Sequence, residues 1–348
     1  MRYAYWLLLF VPVTAALGWW FHAPATWIFV TSALAIVPLS AVLGEATEQL
    51  AGHTGATVGG LLNATLGNAA ELIITVLALR AGLVELVKAS ITGSIIGNLL
   101  LVLGAALFAG GLKQRTLRFA VQAAGVAASM MTLSVTALVI PAVLLLTHPQ
   151  HPAVQLNLSV AVAAVLILSY AASLLFTLRT EAVAAPGIER GNLGPAHWSV
   201  RRAGLTLLLA TAGIALMSDL LVGATEAAAG SLGLSEMFVG IIVVPIVGNA
   251  AEHASAVWMA VRGKIDLAFA IAIGSSTQVA LFVAPVLVFV ALALGRPMDF
   301  VFTPLEVVAV GAAAAIVNVI ARDGESNWFE GAQLLAVYAI LAAAFFFY

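Results

Sequence analysis

The sequence contains no cysteine and few charged residues of either sign. Without cysteine there are no disulfide bonds and no thiolate metal sites, so any metal ion would be bound by oxygen or imidazole ligands. Charged residues make up 9% of the 348 residues, whereas about 25% is usual for a soluble domain. Because 63% of the residues are hydrophobic, too few polar side chains remain to cover a water-facing surface. The composition therefore predicts a protein that is covered mostly by lipid.

Several motifs that would indicate another class of protein are also missing from the sequence. No run of basic residues suits a nucleic acid, and no glycine-rich loop suits a nucleotide. Glu252-His253 lacks the second histidine of a zinc protease motif, and Asp219 is the single aspartate deep in an apolar stretch, where an intramembrane protease needs two. These absences argue against an enzyme and against an ATP-driven pump, and we expect no cofactor.

Apolar stretches long enough to cross a bilayer recur along the chain, since a membrane helix needs roughly 20 such residues. They predict an all-α membrane protein with eleven transmembrane helices. The first stretch could instead be a signal peptide, but its length and its aromatic end at Trp19-Trp20-Phe21 favour a retained helix. The predicted helices are 3–21, 26–50, 57–81, 84–110, 119–147, 153–178, 203–230, 236–261, 266–294, 303–321 and 328–348.

The distribution of lysine and arginine predicts the orientation of these helices. If the N-terminus lies inside and the helices alternate, the outer side receives only Arg80, Lys88 and Arg296 of the 14 basic residues. Cytosolic loops of membrane proteins carry an excess of lysine and arginine. We therefore expect a cytosolic N-terminus and an external C-terminus.

An internal repeat divides the chain into two halves. Gly-Asn-Ala-Ala-Glu occurs at 67–71 and again at 248–252, and at the same spacing of 181 residues Val58-Gly59 matches Val239-Gly240 and Gly93-Ser94 matches Gly274-Ser275. Five helices per repeat is an odd number, so the second repeat enters the membrane from the opposite side, an arrangement typical of secondary transporters. The predicted parts are an N-terminal helix (1–25), a first repeat (26–178), a cytosolic linker (179–202) and a second repeat (203–348).

Six acidic residues lie beyond the first turn of a predicted membrane helix, although a charged side chain at a helix centre costs roughly 2.5–3.5 kcal/mol. No lysine or arginine lies deep in a predicted helix to neutralise them. Their countercharge must be a proton or a cation from solution, which indicates cation transport. The six acids are Glu45, Glu48, Glu71, Asp219, Glu226 and Glu252.

The two motif copies supply the ligand types that a hard cation prefers. Asn68 and Glu71 are three residues apart, as are Asn249 and Glu252, so each amide shares a helix face with its carboxylate. Glycine before each pair, and Pro245 before the second, weaken the helices and free carbonyl oxygens. Calcium takes six to eight oxygen ligands in a flexible site, so these four side chains are the predicted metal ligands. An asparagine in a membrane helix could instead serve an interhelical hydrogen bond.

Other polar residues near the motifs have more than one interpretation. Glu48 and Glu226 lie near helix ends, where they could support the site, admit cations or simply face water. His253 points to another helix face than Glu252, which favours a packing role. Possible polar lining of the site is offered by Ser94, Asn98, Ser275 and Gln278.

At these residues the sequence resembles the calcium/cation:proton exchanger (CAX) family. The resemblance rests on Gly67–Ile73, Gly93–Asn98, Gly248–His253 and Gly274–Gln278, and its layout covers nearly the whole chain. It implies eleven helices and the exchange of calcium for protons through Glu71 and Glu252, in a microbial inner membrane. Its expected partners are the lipid bilayer and a divalent cation, with no nucleic acid, and no feature indicates an oligomeric state.

Two other transport functions remain open at this point. Sodium-coupled calcium exchange uses the same fold, but the sodium sites of such exchangers are built with hydroxyl-bearing residues beside the acid, whereas this chain has asparagine and alanine at the corresponding positions. A passive cation channel is the third possibility, although broken inverted repeats favour alternating access over a continuous pore.

Overall fold

The computed structural model describes residues 4–54, 62, 65–147, 152–179 and 197–348, and most of this chain is helical. Most of the predicted linker 179–202, and the repeat match at Val58-Gly59, lie outside the described residues. The helices, numbered in chain order within the described residues, are α1 (Phe10–Trp19, after a 3-10 helix Ala4–Leu9), α2 (Ala25–Ala51), α3 (Ala69–Ala81), α4 (Val84–Lys113), α5 (Val121–Thr147), α6 (Pro152–Arg179), α7 (Val200–Leu232), α8 (Glu236–Gly248), α9 (Ala250–Val261), α10 (Ile265–Ala293), α11 (Pro304–Ile320) and α12 (Trp328–Phe347).

Among the described residues, fewer helices than the predicted eleven are long enough to cross a membrane. In the part of the chain that the structure describes, seven helices are long and apolar enough to cross a membrane, or eight if the bent pair α8–α9 is one span. The apolar helices Tyr5–Trp19 and Pro304–Ile320 are shorter. Each predicted segment contains a helix, which confirms the mainly helical fold, whereas the count of eleven spans stays a prediction.

Local sequence signals account for several helix ends. The Ser199 hydroxyl accepts a hydrogen bond from the backbone N–H of Arg202 and so caps the start of α7, as serine at an N-cap position commonly does. Helix α11 begins with a capping box between Thr303 and Glu306. Helices α3 and α7 end at Gly82 and Gly233, whose positive φ angles of 91° and 68° suit glycine.

The described chain forms two compact units, and each contains helices from both predicted repeats. The first unit comprises Met1–Ser90, Arg190–Ala251 and Phe345–Tyr348, as far as these residues are described. In it α2 packs along α7, α3 packs against α7, and the last turn of α8 packs against α2 and α3. Helices α2 and α7 are the first helices of the two predicted repeats, so counterparts lie side by side.

The α2–α7 pair is antiparallel. At one end the hydroxyls of Thr26 and Ser231 are 2.7 Å apart. At the other end the Gln49 amide oxygen accepts hydrogen bonds from the backbone N–H groups of His197 and Trp198, at 2.8 and 3.0 Å. The start of each helix therefore lies beside the end of the other, which is the relation that an inverted repeat requires of corresponding helices.

The second unit comprises Ile91–Glu189 and Glu252–Ala344, as far as these residues are described. In it α5 packs against α11 and α10, while α10 also packs against α4 and α6. Two short strands, Leu117–Arg118 and Glu325–Ser326, pair antiparallel with Leu117 opposite Ser326. These strands depart from the all-α prediction. They join two connections that lie about two hundred residues apart in the sequence, and such a distant pairing leaves no local pattern from which it could be predicted.

Three helices contain a stretch of π-helix, at Gly97–Val102, Val239–Val243 and Val279–Val283. The first and third coincide at the repeat spacing of 181 residues. In the second unit the Ser276 hydroxyl donates to the carbonyl of Ile95 at 3.4 Å, and these two residues are also repeat counterparts. A contact between counterparts is expected near a pseudo-twofold axis, so α4 and α10 support the predicted repeat. The inverted arrangement of the whole chain stays a prediction.

Candidate cation-binding site

Both copies of the motif lie where a helix is interrupted. Helix α8 ends at Gly248 and α9 begins at Ala250, with a bend of 63° between them. In the first copy a turn at Gly67-Asn68 precedes α3. Asn68 has φ and ψ angles of −90° and 13°, and Asn249 has similar angles of −107° and 11°. The two motifs therefore share one backbone geometry, which places each glutamate in the first turn of a new helix.

In the first unit the acid of the first motif lies beside the backbone of the second. Glu71 is 1% exposed, and Asn68 and Asn249 are each 2% exposed. A Cβ atom built on Gly248 would lie 3.7 Å from the Glu71 Cα atom and 3.8 Å from its Cβ atom. Two segments that lie 181 residues apart in the sequence are thus in van der Waals contact. Three of the four predicted ligands, Asn68, Glu71 and Asn249, belong to this unit.

In the second unit Glu252 is held by a hydroxyl. The Ser275 side chain on α10 donates a short hydrogen bond to the Glu252 carboxylate. Glu252 also lies in the first turn of α9, where the helix dipole favours a negative charge. Ser275, one of the predicted lining residues, is therefore in direct contact with a predicted ligand.

The remaining predicted lining residues are buried in the same unit. Ser94 and Asn98 are each 1% exposed, and Gln278 is 5% exposed. The Asn98 side-chain oxygen lies 3.1 Å from Nε2 of His253. Sequence reasoning gave His253 only a packing role, and its bond to Asn98 adds a polar contact one residue after Glu252. No sequence signal connects two residues that are 155 positions apart.

Glu48 and Glu226 lie in the first unit, and both are exposed. Because α2 and α7 are antiparallel and a helix rises 1.5 Å per residue, the two acids are about 25 Å apart along the pair. They cannot ligate the same ion. Of the interpretations left open by the sequence, this separation argues against the one in which both acids support a single site.

The other acids of the predicted membrane helices differ in their surroundings. Glu45 accepts a hydrogen bond of 2.7 Å from the Tyr5 hydroxyl, and Asp219 is exposed on α7. Sequence reasoning missed Glu306, which is 2% exposed. Its carboxylate accepts hydrogen bonds from the Thr92 hydroxyl at 3.0 Å and from the Thr303 backbone N–H at 2.8 Å. The Thr-x-x-Glu pattern of a capping box was the signal that could have revealed it.

The chemistry of the candidate groups suits a hard cation. Within the described residues there is no cluster of three or more histidine, cysteine, aspartate or glutamate side chains. A site built here would therefore combine one or two carboxylates with amide, hydroxyl and backbone oxygens. Oxygen ligands of this kind bind calcium, manganese and magnesium in preference to softer metals.

Comparison with known protein families gives two matches along the chain. A family model described as sodium/calcium exchanger protein matches residues 24–179 and 203–347. These two stretches correspond closely to the halves that the internal repeat predicts.

Comparison with individual proteins gives relatives that align over almost the full chain. The chain is 49% identical to a protein of Synechocystis named Ca2+/H+ antiporter, over 98% of this chain and 96% of the relative. It is 43% identical to the Ca2+/H+ antiporter ChaA of Bacillus subtilis, over 97% and 96%. Among solved structures, native YfkE matches with a TM-score of 0.87 and 40% identity, over 99% of this chain and all of that one. An H+/Ca2+ exchanger, CAX, shares the fold with a TM-score of 0.75 at 15% identity, over 99% and 92%.

Proposed function

The chain belongs to the sodium/calcium exchanger protein family, and on this basis we propose that it exchanges calcium for protons across a prokaryotic inner membrane. The observation that carries the proposal is the identity of 43–49% to two bacterial proteins named Ca2+/H+ antiporter, over nearly the full length of each chain. The structural match to YfkE supports the same conclusion. As an exchanger, the protein transports its substrates and does not transform them, so no cofactor is needed.

We further propose that Glu71 and Glu252 serve one cation site near the middle of the membrane, together with Asn68 and Asn249. Support comes from the burial of Glu71, from its contact with Gly248 of the second motif and from the hydroxyl that holds Glu252. Two carboxylates in a dry site repel each other. Either protons or one divalent cation can relieve this repulsion, so the two occupants exclude each other.

Mutual exclusion is what couples the two fluxes. A site that carries protons or calcium can reorient, whereas an empty site would hold uncompensated charge in a medium of low dielectric constant and should reorient slowly. Calcium binding should therefore weaken as the pH falls, because protons compete for the same oxygens. Alternating access would be produced by helices that belong to both repeats, for which α2 and α7 are the candidates.

The test is a transport assay in sealed vesicles that contain the purified protein. An imposed pH gradient alone should drive calcium uptake, with no sodium present. Uptake that requires a sodium gradient would identify the alternative, sodium-coupled exchange. Uptake that equilibrates calcium without either gradient would identify a passive channel, and either of these results would reject the proposal.

A further inference from the structure

Three connections between helices meet at one end of the second unit. They are the α4–α5 connection (114–120), the α9–α10 connection (262–264) and the α11–α12 connection (321–327). The strand pair at Leu117 and Ser326 joins the first to the third. The backbone N–H of Ala120 donates to the Asp266 carboxylate at 2.7 Å, and Lys113 Nζ donates to the Val261 carbonyl at 3.2 Å. The three connections therefore form one surface with defined contacts.

This surface, which we call the basic rim, is rich in positive charge. It also carries three acids, which are fewer than its basic residues: Asp266 accepts a hydrogen bond from the α4–α5 connection, Asp323 accepts one from the backbone N–H of Glu325 at 3.2 Å, and Glu325 pairs with Arg118 at 3.0 Å. In the part of the chain that is described, Arg118 is the one basic residue of the rim with a carboxylate partner. The rim consists of six exposed basic residues, Lys113, Arg115, Arg118, Arg262, Lys264 and Arg322.

Aromatic and apolar side chains border the basic rim and indicate the depth at which it would lie in a membrane. Leu112, Trp258, Trp328 and Phe329 are exposed, and each lies within a few residues of the rim in the sequence. The Arg262 guanidinium lies 4.6 Å from the centre of the Trp258 ring, an arrangement in which a cation interacts with the aromatic face. Tryptophan is enriched where the hydrocarbon of a membrane meets its headgroups. The basic rim thus lies where lipid phosphates would be.

We propose that the basic rim binds the phosphate headgroups of anionic phospholipids in the surrounding leaflet. Basic groups close to a membrane surface attract anionic lipids by about 1 kcal/mol each. Because the rim is positively charged, its partner should be anionic. Because exposed apolar side chains border the rim, a lipid suits it better than a soluble anion, since the acyl chains can cover that border. The charge distribution also predicts that this is the cytosolic side, where the positive-inside rule places basic residues.

The test measures lipid selectivity and does not depend on transport. The full-length protein is reconstituted in a mixture of phosphatidylcholine and phosphatidylglycerol, and spin-labelled versions of each lipid report the fraction that the protein immobilises. The wild type should prefer phosphatidylglycerol, and added salt should weaken the preference because salt screens exposed charges. The double variant Arg115→Gln/Lys264→Gln should lose roughly five-fold in selectivity for each charge removed. These two residues suit the test because neither donates a side-chain hydrogen bond to another described residue.

The control removes the same charge from elsewhere on the protein. Arg80→Gln/Arg296→Gln changes two exposed arginines on the side opposite to that predicted for the rim, and it should leave the selectivity unchanged. Equal selectivity in the rim and control variants would overturn the proposal. So would displacement of the labelled lipid by soluble glycerophosphoglycerol at equal concentration, because the rim would then be a general anion site. Either result can be interpreted only if the rim variant is folded and monodisperse. An unchanged thermal unfolding midpoint shows that it is folded.

Discussion

Glu71 and Glu252 occupy equivalent positions of the repeat, yet their surroundings differ. Glu71 is buried against the backbone at Gly248, whereas Glu252 is partly exposed and accepts a hydrogen bond from Ser275. One acid is therefore almost fully buried beside the backbone of the second motif, and the other is partly exposed and accepts a hydrogen bond from a serine. The difference predicts that substitutions around the two acids will not have symmetric effects, even if the acids themselves are equally necessary.

Replacement of either acid by glutamine tests their necessity. Glu71→Gln and Glu252→Gln each remove a negative charge and nearly preserve the shape, so the protein should insert and fold. Each should abolish calcium uptake driven by a pH gradient, because one remaining carboxylate cannot both balance a divalent cation and exchange it for protons. Glu236→Gln changes an exposed acid at the start of α8 and should transport normally. Near wild-type transport by both site variants would reject the shared-site mechanism.

The hydroxyl of Ser275 offers a finer test of how Glu252 is positioned. Hydrogen bonds to charged groups contribute about 1.5–3 kcal/mol, so Ser275→Ala should weaken calcium binding by roughly ten-fold or more. The nearby Thr277→Val is the matched control, since the Thr277 hydroxyl donates to the Ile273 carbonyl of its own helix at 2.8 Å. Calcium affinity can be measured by isothermal titration in detergent. Equal affinities for the two variants would show that Ser275 does not support the site.

Among individual residues, the sequence singled out those whose type is rare within a membrane helix. An acid within an apolar helix is costly, so Glu71 and Glu252 stood out, and their duplication gave the asparagines beside them. The bond between Asn98 and His253 could not be predicted, because it depends on how two distant helices pack. Glu306 was missed for another reason. It lies at the start of a helix, where an acid in a Thr-x-x-Glu capping box is ordinary, so this pattern marks its position but does not show that it is buried.

The helix interruptions are the feature of the secondary structure that positions the residues of the candidate site. Glycine in each motif and Pro245 predicted that the helices would be weakened near Asn68 and Asn249, and the structure has a turn or a bend of 63° at these places. The π-helical stretches were not predicted. They add one residue to a helical turn without a distinctive composition, so their position depends on tertiary packing. Such stretches are frequent at functional sites, and here one begins directly after Gln278.

Close packing of α4 and α12 in the second unit depends on glycine. A Cβ atom at Gly331 would come within 2.8 Å of the Gly104 carbonyl oxygen and would also clash with the backbone N of Phe108. Because backbone atoms cannot move aside easily, Gly331→Ala should destabilise the protein by about 1–3 kcal/mol. Gly311→Ala is the control, since open space surrounds that position. Thermal unfolding should give a lower midpoint for the first variant only, and equal midpoints would contradict the packing argument.

The antiparallel pair α2–α7 is the candidate for the moving element. Since the two helices pack along each other, we expect them to slide together against the rest of the protein, which would open one side while closing the other. A disulfide between α7 and α3 should therefore block transport and leave calcium binding intact. A disulfide within the pair, from Thr26→Cys and Ser231→Cys, replaces side chains whose oxygens are 2.7 Å apart and should permit transport. Transport by the α3–α7 crosslinked protein would reject this motion.

For the whole molecule, the predicted repeat would account for the presence of parts of both halves in each compact unit. The sequence predicts two halves in succession, and in the structure α2 packs along α7 while α4 packs against α10, as is expected of inverted copies that face each other. Sequence spacing alone could identify the copies and the odd number of predicted helices per copy. It could not show which helices would group together, because that depends on the shapes of the packed faces.

The side of the membrane on which the C-terminus lies depends on whether α11 crosses. Helix α11 therefore provides the sharpest test of the predicted topology. Helices α7, α10 and α12 are long enough to span, and α8–α9 can form one bent span. Helix α11 has 17 residues and is about 26 Å long, slightly less than the roughly 30 Å of a hydrocarbon core. If α11 crosses, five spans separate the linker from the C-terminus and the two lie on opposite sides. If it does not, four spans place them on the same side.

Labelling of single cysteines decides between these outcomes, because the chain has no cysteine of its own. We expect α11 to cross, since five helices per repeat are needed for the inversion that the antiparallel α2–α7 pair supports. An impermeant maleimide should then label Glu189→Cys and Tyr348→Cys from opposite sides of sealed membranes. Arg296→Cys and Asp323→Cys flank α11 and should also react from opposite sides, with Arg296→Cys external. Permeabilised membranes, in which all four variants should react, provide the control. Labelling of Arg296→Cys and Asp323→Cys from one side would show that α11 does not cross, and the inverted five-helix repeat would then be wrong.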